Sequence, residues 1–396
     1  MRKRIFLLIS VVSFALIGCS EKESFEPNNE SQNTTNVPIV LNTDKFFNAD
    51  ISTRATIESL SMIDTLGVFC LAGKKTTISG SENAPTPNWN VTLDSAKFST
   101  TTHGKYWNNI PCTVDAGSGD LEVQNKGWYA WYYPITSWYA YDFYAYYPYR
   151  KTHTIIRNVE NRDTTYQLGV DYQIDGTQDI IWGRSEIKSD PFAYSAKYFR
   201  NISDPTVHMK LEHSLTQFQF YVLPQEKNGS FEAIKKLAVK KVSMHEVATN
   251  LRLIVADNNQ NGNNRTGHIQ PIDNTRGDLE LKGFNGKTVS PVEFKTQIVD
   301  GVETAVEERI GDCIMVCPDA TEYYMSMVLC LKDDHDSEYY SEKLMTIKLN
   351  ENKPFQAGKI YKIYIKVSGI TEIKLNAELA DWIEADDNDN LNFDIN

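Results

Sequence analysis

The sequence predicts an all-β protein, and three observations carry that prediction. Apolar and polar residues alternate through Met209-Lys210-Leu211-Glu212-His213-Ser214-Leu215 and on through Phe218-Gln219-Phe220-Tyr221-Val222. The same period-two pattern returns in Leu251-Arg252-Leu253-Ile254-Val255 and in Tyr361-Lys362-Ile363-Tyr364-Ile365-Lys366-Val367. Such alternation, rich in β-branched and aromatic side chains, marks half-buried strands. Residues 323–349 read as a hairpin turning at Asp333-Asp334-His335-Asp336-Ser337. Helical periodicity, by contrast, rarely persists beyond two turns. Packed β-sandwiches are the expected architecture.

The chain opens on a different kind of segment. Arg2, Lys3 and Arg4 precede the apolar run Ile5 to Ile17, which is too short to span a bilayer stably. It ends in Leu16-Ile17-Gly18-Cys19, a small residue and a cysteine where a bacterial lipoprotein signal is cut. Residues 1–18 are therefore expected to be a signal peptide, with Cys19 the lipidated residue of the mature chain. Acyl chains anchor because each buried methylene contributes about 0.8 kcal/mol. From Ser20 to Asn36 almost nothing is apolar, so residues 19–36 read as a solvated tether.

Between Trp128 and Tyr149, thirteen of 22 residues are Trp, Tyr or Phe. The run alternates as a strand does, and rings with a polar edge suit a sheet with one packed face and one wet face. A sugar-stacking surface built on Trp128, Trp131 and Trp138 is the competing reading. A polar stretch from Arg200 to Pro205 suggests a boundary, giving domains over residues 37–203 and 204–396.

Composition excludes several functions. The 396 residues carry a formal charge of −12, and loss of Arg2, Lys3 and Arg4 with the signal moves it to about −15. An acidic chain without a basic stripe is a poor partner for nucleic acid. Of six cysteines, five remain once Cys19 is acylated, an odd number that rules out a fully paired disulfide scaffold. Cys313 and Cys317 would share a strand face, and a bond between them stays open.

No catalytic, metal or cofactor motif emerges. Asp257-Asn258-Asn259-Gln260-Asn261-Gly262 begins like a calcium loop, but His268 stands where the bidentate glutamate belongs. His208 and His213 lie at odd separation on one strand and so face opposite sides. No nucleophile elbow, phosphate loop or dinucleotide fingerprint is present. An enzyme is not expected.

Several features recur together in one family. The chain resembles the fimbrillin-like surface lipoproteins that build type V pili on Gram-negative gut and oral anaerobes. The matching residues are the lipobox at Cys19, Ile63-Asp64-Thr65-Leu66-Gly67-Val68-Phe69, Phe143-Tyr144-Ala145-Tyr146-Tyr147-Pro148 and Leu211-Glu212-His213-Ser214-Leu215. Phe355-Gln356-Ala357-Gly358-Lys359-Ile360-Tyr361-Lys362-Ile363 and Trp382 complete the set, so the likeness covers most of the mature chain.

The resemblance implies two transthyretin-like β-sandwich domains in tandem, anchored by lipid in the cell outer membrane and displayed in a fimbrium. It also implies assembly with other fimbrial subunits by strand addition, and adhesion to host or bacterial surface ligands. In such pilins a protease cuts after an arginine, the first strand leaves, and a neighbour donates its replacement. Carried onto this sequence, the scissile bond lies between Arg54 and Ala55, and the departing strand includes Val37-Pro38-Ile39-Val40-Leu41. A loop arginine that is never cut is the plainer alternative. The donor would be Leu391-Asn392-Phe393-Asp394-Ile395-Asn396, whose Leu391, Phe393 and Ile395 share one face. Those residues could equally form the last strand of their own domain.

Overall fold

A computed structural model describes residues 37–44, 59–73, 97–99, 104–106, 108–124, 132–133, 140–160, 163–188, 190, 192–200, 202–257, 266–283, 291–332, 341–349, 352–369 and 372–381. Among them the structure is nearly all strand, as the alternation predicts. Its one α-helix, α1, is the single turn Ala196–Phe199, capped by the Ser195 side chain. Strands are numbered in chain order.

The first sheet comprises β1 (Val40–Thr43), β2 (Leu66–Gly73), β5 (Ile110–Val114), β6 (Leu121–Val123), β7 (Ala140–Tyr147), β10 (Ile181–Ser185) and β11 (Thr206–His213). Their order is β1-β11-β10-β7-β2-β5-β6, and only the β1–β11 pair is parallel. Facing it is a sheet of β8 (Thr154–Glu160), β9 (Asp163–Gln173), β14 (Asn250–Asp257) and β15 (Ile269–Pro271), ordered β15-β14-β9-β8.

The third sheet joins β12 (Thr216–Pro224), β20 (Glu308–Val316), β23 (Lys359–Gly369) and β24 (Glu372–Asp381) in the order β20-β12-β23-β24. Opposite it, β13 (Leu237–Ala248), β16 (Arg276–Glu280), β21 (Glu322–Leu331) and β22 (Ser341–Lys348) run β16-β13-β21-β22, with β17 (Val292–Glu293) also on β13. Two small hairpins, β3 (Lys97–Ser99) with β4 (Gly104–Tyr106) and β18 (Lys295–Val299) with β19 (Val302–Val306), pair only within themselves.

Three apolar clusters fill the spaces. Phe218, Phe220 and Ile363 of the third sheet meet Val242, Met244 and Met327 of the fourth. On one face of the first sheet lie Leu41, Val68, Cys70, Phe143, Val207 and Met209. Against its other face, Phe69, Tyr144 and Tyr146 pack on Val170, Tyr172 and Leu253 of the second sheet. That cluster continues into Met315 and Ile360 of the third sheet.

The aromatic strand β7 departs from expectation in one respect. Tyr141 and Phe143 enter one cluster, and Tyr144 and Tyr146 the other, so neither face is wet. Its even-numbered face is covered because β14 and β15 arrive from far along the chain. Strand β11 keeps the predicted alternation: Val207, Met209 and Leu211 are buried, whereas His208, Lys210 and Glu212 are exposed. The hairpin read at residues 323–349 is β21 paired antiparallel with β22. Strand β11, which begins after residues 203 and 204, pairs with β10 in the first sheet. After β13 the chain returns to pair β14 with β9, then re-enters the fourth sheet as β16.

The first strand and its groove, a candidate strand-exchange site

Strand β1 holds a special place in the first sheet. Val40, Leu41, Asn42 and Thr43 pair in parallel with Thr206, Val207, His208 and Met209. Its other side bridges Asp120, next to β6 at the opposite end of the same sheet, and Pro38 bridges Tyr132. The sheet therefore curls until both its edges meet on this one strand. Unpaired edges are exposed hydrogen-bonding templates, and a strand in this position covers two of them.

Local chemistry explains why these residues settle there. Leu41 and Thr43 are buried, and Val37 and Ile39 pack partly against the same cluster as Leu41. The turn from Asp115 to Asp120 closes over the strand. The Thr43 amide donates to the Gly119 carbonyl at 2.8 Å, and its hydroxyl donates to the same oxygen at 3.1 Å. Asn42 Nδ2 donates to the Ser118 carbonyl at 2.9 Å and to Asp120 Oδ1 at 2.8 Å. Gly119 has φ +81°, and a Cβ there would collide with the Thr43 carbonyl. A glycine is required both for the backbone angle and for the close approach.

The clasp is itself braced. Asp115 Oδ1 accepts from the Ser118 amide, the Ser118 hydroxyl and the Gly117 amide, which hold its carboxyl below the ordinary range. At the far end of β1, Asp44 Oδ1 lies 3.1 Å from His208 Nδ1, and Asp204 Oδ2 lies 3.9 Å from His208 Nε2. Hydrogen bonds from Thr206, and then His208 close by, keep the Asp204 carboxyl low.

Of the segment Val37 to Leu41 expected as the first strand, Val40 and Leu41 fall in β1, Pro38 makes an isolated bridge, and Val37 and Ile39 precede the strand. Cys19, Arg54, Ala55, Leu391, Phe393 and Ile395 lie outside the described residues, as do Trp128, Trp131 and Trp138. The rings of the aromatic run that are described in β7 pack inside. Sequence reasoning missed the clasp. Asp115-Ala116-Gly117-Ser118-Gly119-Asp120 carries a clear turn signature, but its partner Asn42 stands 76 positions away.

Other candidates do not assemble. His208 is exposed and His213 buried, the latter 2.9 Å from Asp179 Oδ2. Cys313 and Cys317 are buried and not joined in a disulfide, and the same holds for Cys70, Cys112 and Cys330. Among the described residues no three His, Cys, Asp or Glu side chains are grouped to hold a metal.

The chain is similar in structure to a fimbrial protein from Bacteroides vulgatus ATCC 8482, with 13% identity, a TM-score of 0.45, and coverage of 88% of this chain and 100% of that one. Likeness to the tip fimbrial protein Mfa3 from Porphyromonas gingivalis has 9% identity and a TM-score of 0.37, covering 88% and 100%. For the fimbrial anchor protein Mfa2 from the same organism the values are 10%, 0.32, 87% and 99%. No curated protein matches the sequence. A fimbrillin-like family model spans residues 53–382, taking in the clasp turn, the aromatic strand and every strand of the four sheets except β1. This chain belongs to the fimbrillin-like family.

Proposed function

We propose that this protein is a structural or adhesive subunit of a cell-surface fimbria, exported as a lipoprotein and joined to its neighbours by strand exchange. The observation that carries this reading is that a single short strand, β1, covers both edges of the first sheet. Remove it, and two rows of backbone groups stand above a trench lined by Val207, Met209 and Leu211. An added strand satisfies both at once, through main-chain hydrogen bonds and alternate side chains in pockets.

Proteolysis between Arg54 and Ala55 would free that strand, since the cut falls between β1 and β2. Residues Leu391, Phe393 and Ile395 of another subunit would supply the replacement. Burying three such side chains contributes roughly 5–8 kcal/mol before entropy, at about 1.5–3 kcal/mol each. Until that cut, Cys19 would hold the chain at the outer membrane through its acyl groups. The two face-to-face pairs of sheets support a description as two tandem sandwich domains of transthyretin type. No chemistry at this site calls for a catalyst. The sheet edges, rather than any pocket, meet the partner.

Limited trypsin treatment of the purified chain, with mass spectrometry and electron microscopy, tests the reading. A clip at Arg54 followed by filaments or laddered oligomers is expected. A chain clipped there that stays monomeric at high concentration would overturn assembly by exchange.

A further inference from the structure

The first strand describes the requirements for its own replacement. Val37, Ile39 and Leu41 pack on the core beneath the sheet, and Asn42 follows in the clasp. Leu391-Asn392-Phe393-Asp394-Ile395-Asn396 repeats this order of side chains. With Leu391, Phe393 and Ile395 laid on Val37, Ile39 and Leu41, Asn396 falls on Asn42. The clasp takes two hydrogen bonds from the Asn42 Nδ2, one into a carbonyl and one into a carboxylate. A carboxamide can give both and an ionised carboxylate neither.

A second alignment, Leu391 on Leu41, also places an asparagine, Asn392, at Asn42. It then puts Asp387 and Asp389 at the positions of Val37 and Ile39, among apolar side chains, where a carboxylate loses its water. It also forces Phe393 into the fully buried position of Thr43, beside the tight approach to Gly119. The first alignment suffers neither penalty.

We infer that the Asp115–Asp120 turn is a register-setting clasp that reads asparagine. Its incoming occupant is Leu391–Asn396 of a second copy, lying parallel to β11 with Asn396 in the place of Asn42. This rests on the strand-exchange reading and specifies its register.

The test uses the full chain clipped at Arg54 and a fluorescent peptide of residues 386–396. Binding of the unaltered peptide is expected, weakened by about tenfold or more in Asn396→Asp and changed less than about twofold in Asn392→Asp. A Phe393→Ser peptide reports separately on the groove and should also bind weakly. Equal affinity of Asn396→Asp and the unaltered peptide overturns the clasp, even where Phe393→Ser still loses binding. A loss in Asn392→Asp with Asn396→Asp unaffected selects the second alignment and overturns the first. If the unaltered peptide fails to bind a chain whose clip is verified by mass, both strand exchange and the clasp are refuted.

Discussion

Gly119 shows how much of this molecule turns on single residues. Its positive φ is strained for any other residue, and a methyl there meets the Thr43 carbonyl. Gly119→Ala is expected to destabilise the protein by about 1–3 kcal/mol, read as a shift in urea midpoint with the slope unchanged. The cysteines make a second case at this scale. Burial pushes the Cys112 thiol up to about 12, and Cys317, mainly by burial and then by Asp319, to about 12 as well. Thiols so held stay protonated and poorly nucleophilic. Iodoacetamide at pH 8 should leave both unmodified in the native chain and label both in urea. Labelling of the native chain at comparable rates would refute their burial.

At the scale of elements, β1 and β7 contrast. Strand β7 is gripped from both faces, so Phe143→Ala, which empties a fully buried site, should cost about 3–5 kcal/mol in global unfolding. Strand β1 is held by few pairings, and its loss should be local. Asn42→Ala is expected to speed hydrogen exchange at the Thr43 amide by about tenfold, while β13 and β21 keep their protection.

Most strands were legible in the sequence because alternation records which face is buried: β11 reads apolar, polar, apolar along its length. The covering of the second face of β7 was not legible. Buried aromatics read alike whether one sheet or two enclose them, and β14 comes from beyond residue 249. The clasp was hidden for the same reason. A turn announces itself through Gly117 and Gly119, but nothing nearby tells which distant strand it grips.

At the scale of the whole molecule, the cluster behind the first sheet links the others. Phe69, Tyr144 and Leu253 share it with Met315 and Ile360 of the third sheet. The four sheets are therefore expected to unfold together, with circular dichroism and tryptophan fluorescence giving coincident urea transitions. Two separated transitions would show that this cluster does not couple them. The buried thiols also set a pH limit on the whole. Unfolded, they titrate near 9.0; folded, near about 12. Between those values the unfolded chain sheds protons that the native chain keeps, so the native state loses ground as pH rises. Their contribution is full below about pH 9. Urea midpoints should be flat from pH 7 to 8.5 and decline above 9.

The parallel seat of β1 has a kinetic meaning. Asp44 and His208 stand 164 positions apart, so the segment made first waits for a docking partner made much later. While the chain is whole, its own segment competes at a local concentration of roughly millimolar, set by the intervening chain. Under the proposed exchange, a donor strand on a neighbouring copy would not match that advantage while the chain is whole. Under the proposed exchange, hydrolysis of the Arg54–Ala55 bond would abolish it without touching any contact in the groove, turning a self-sufficient chain into a polymerisable one by a change in entropy alone.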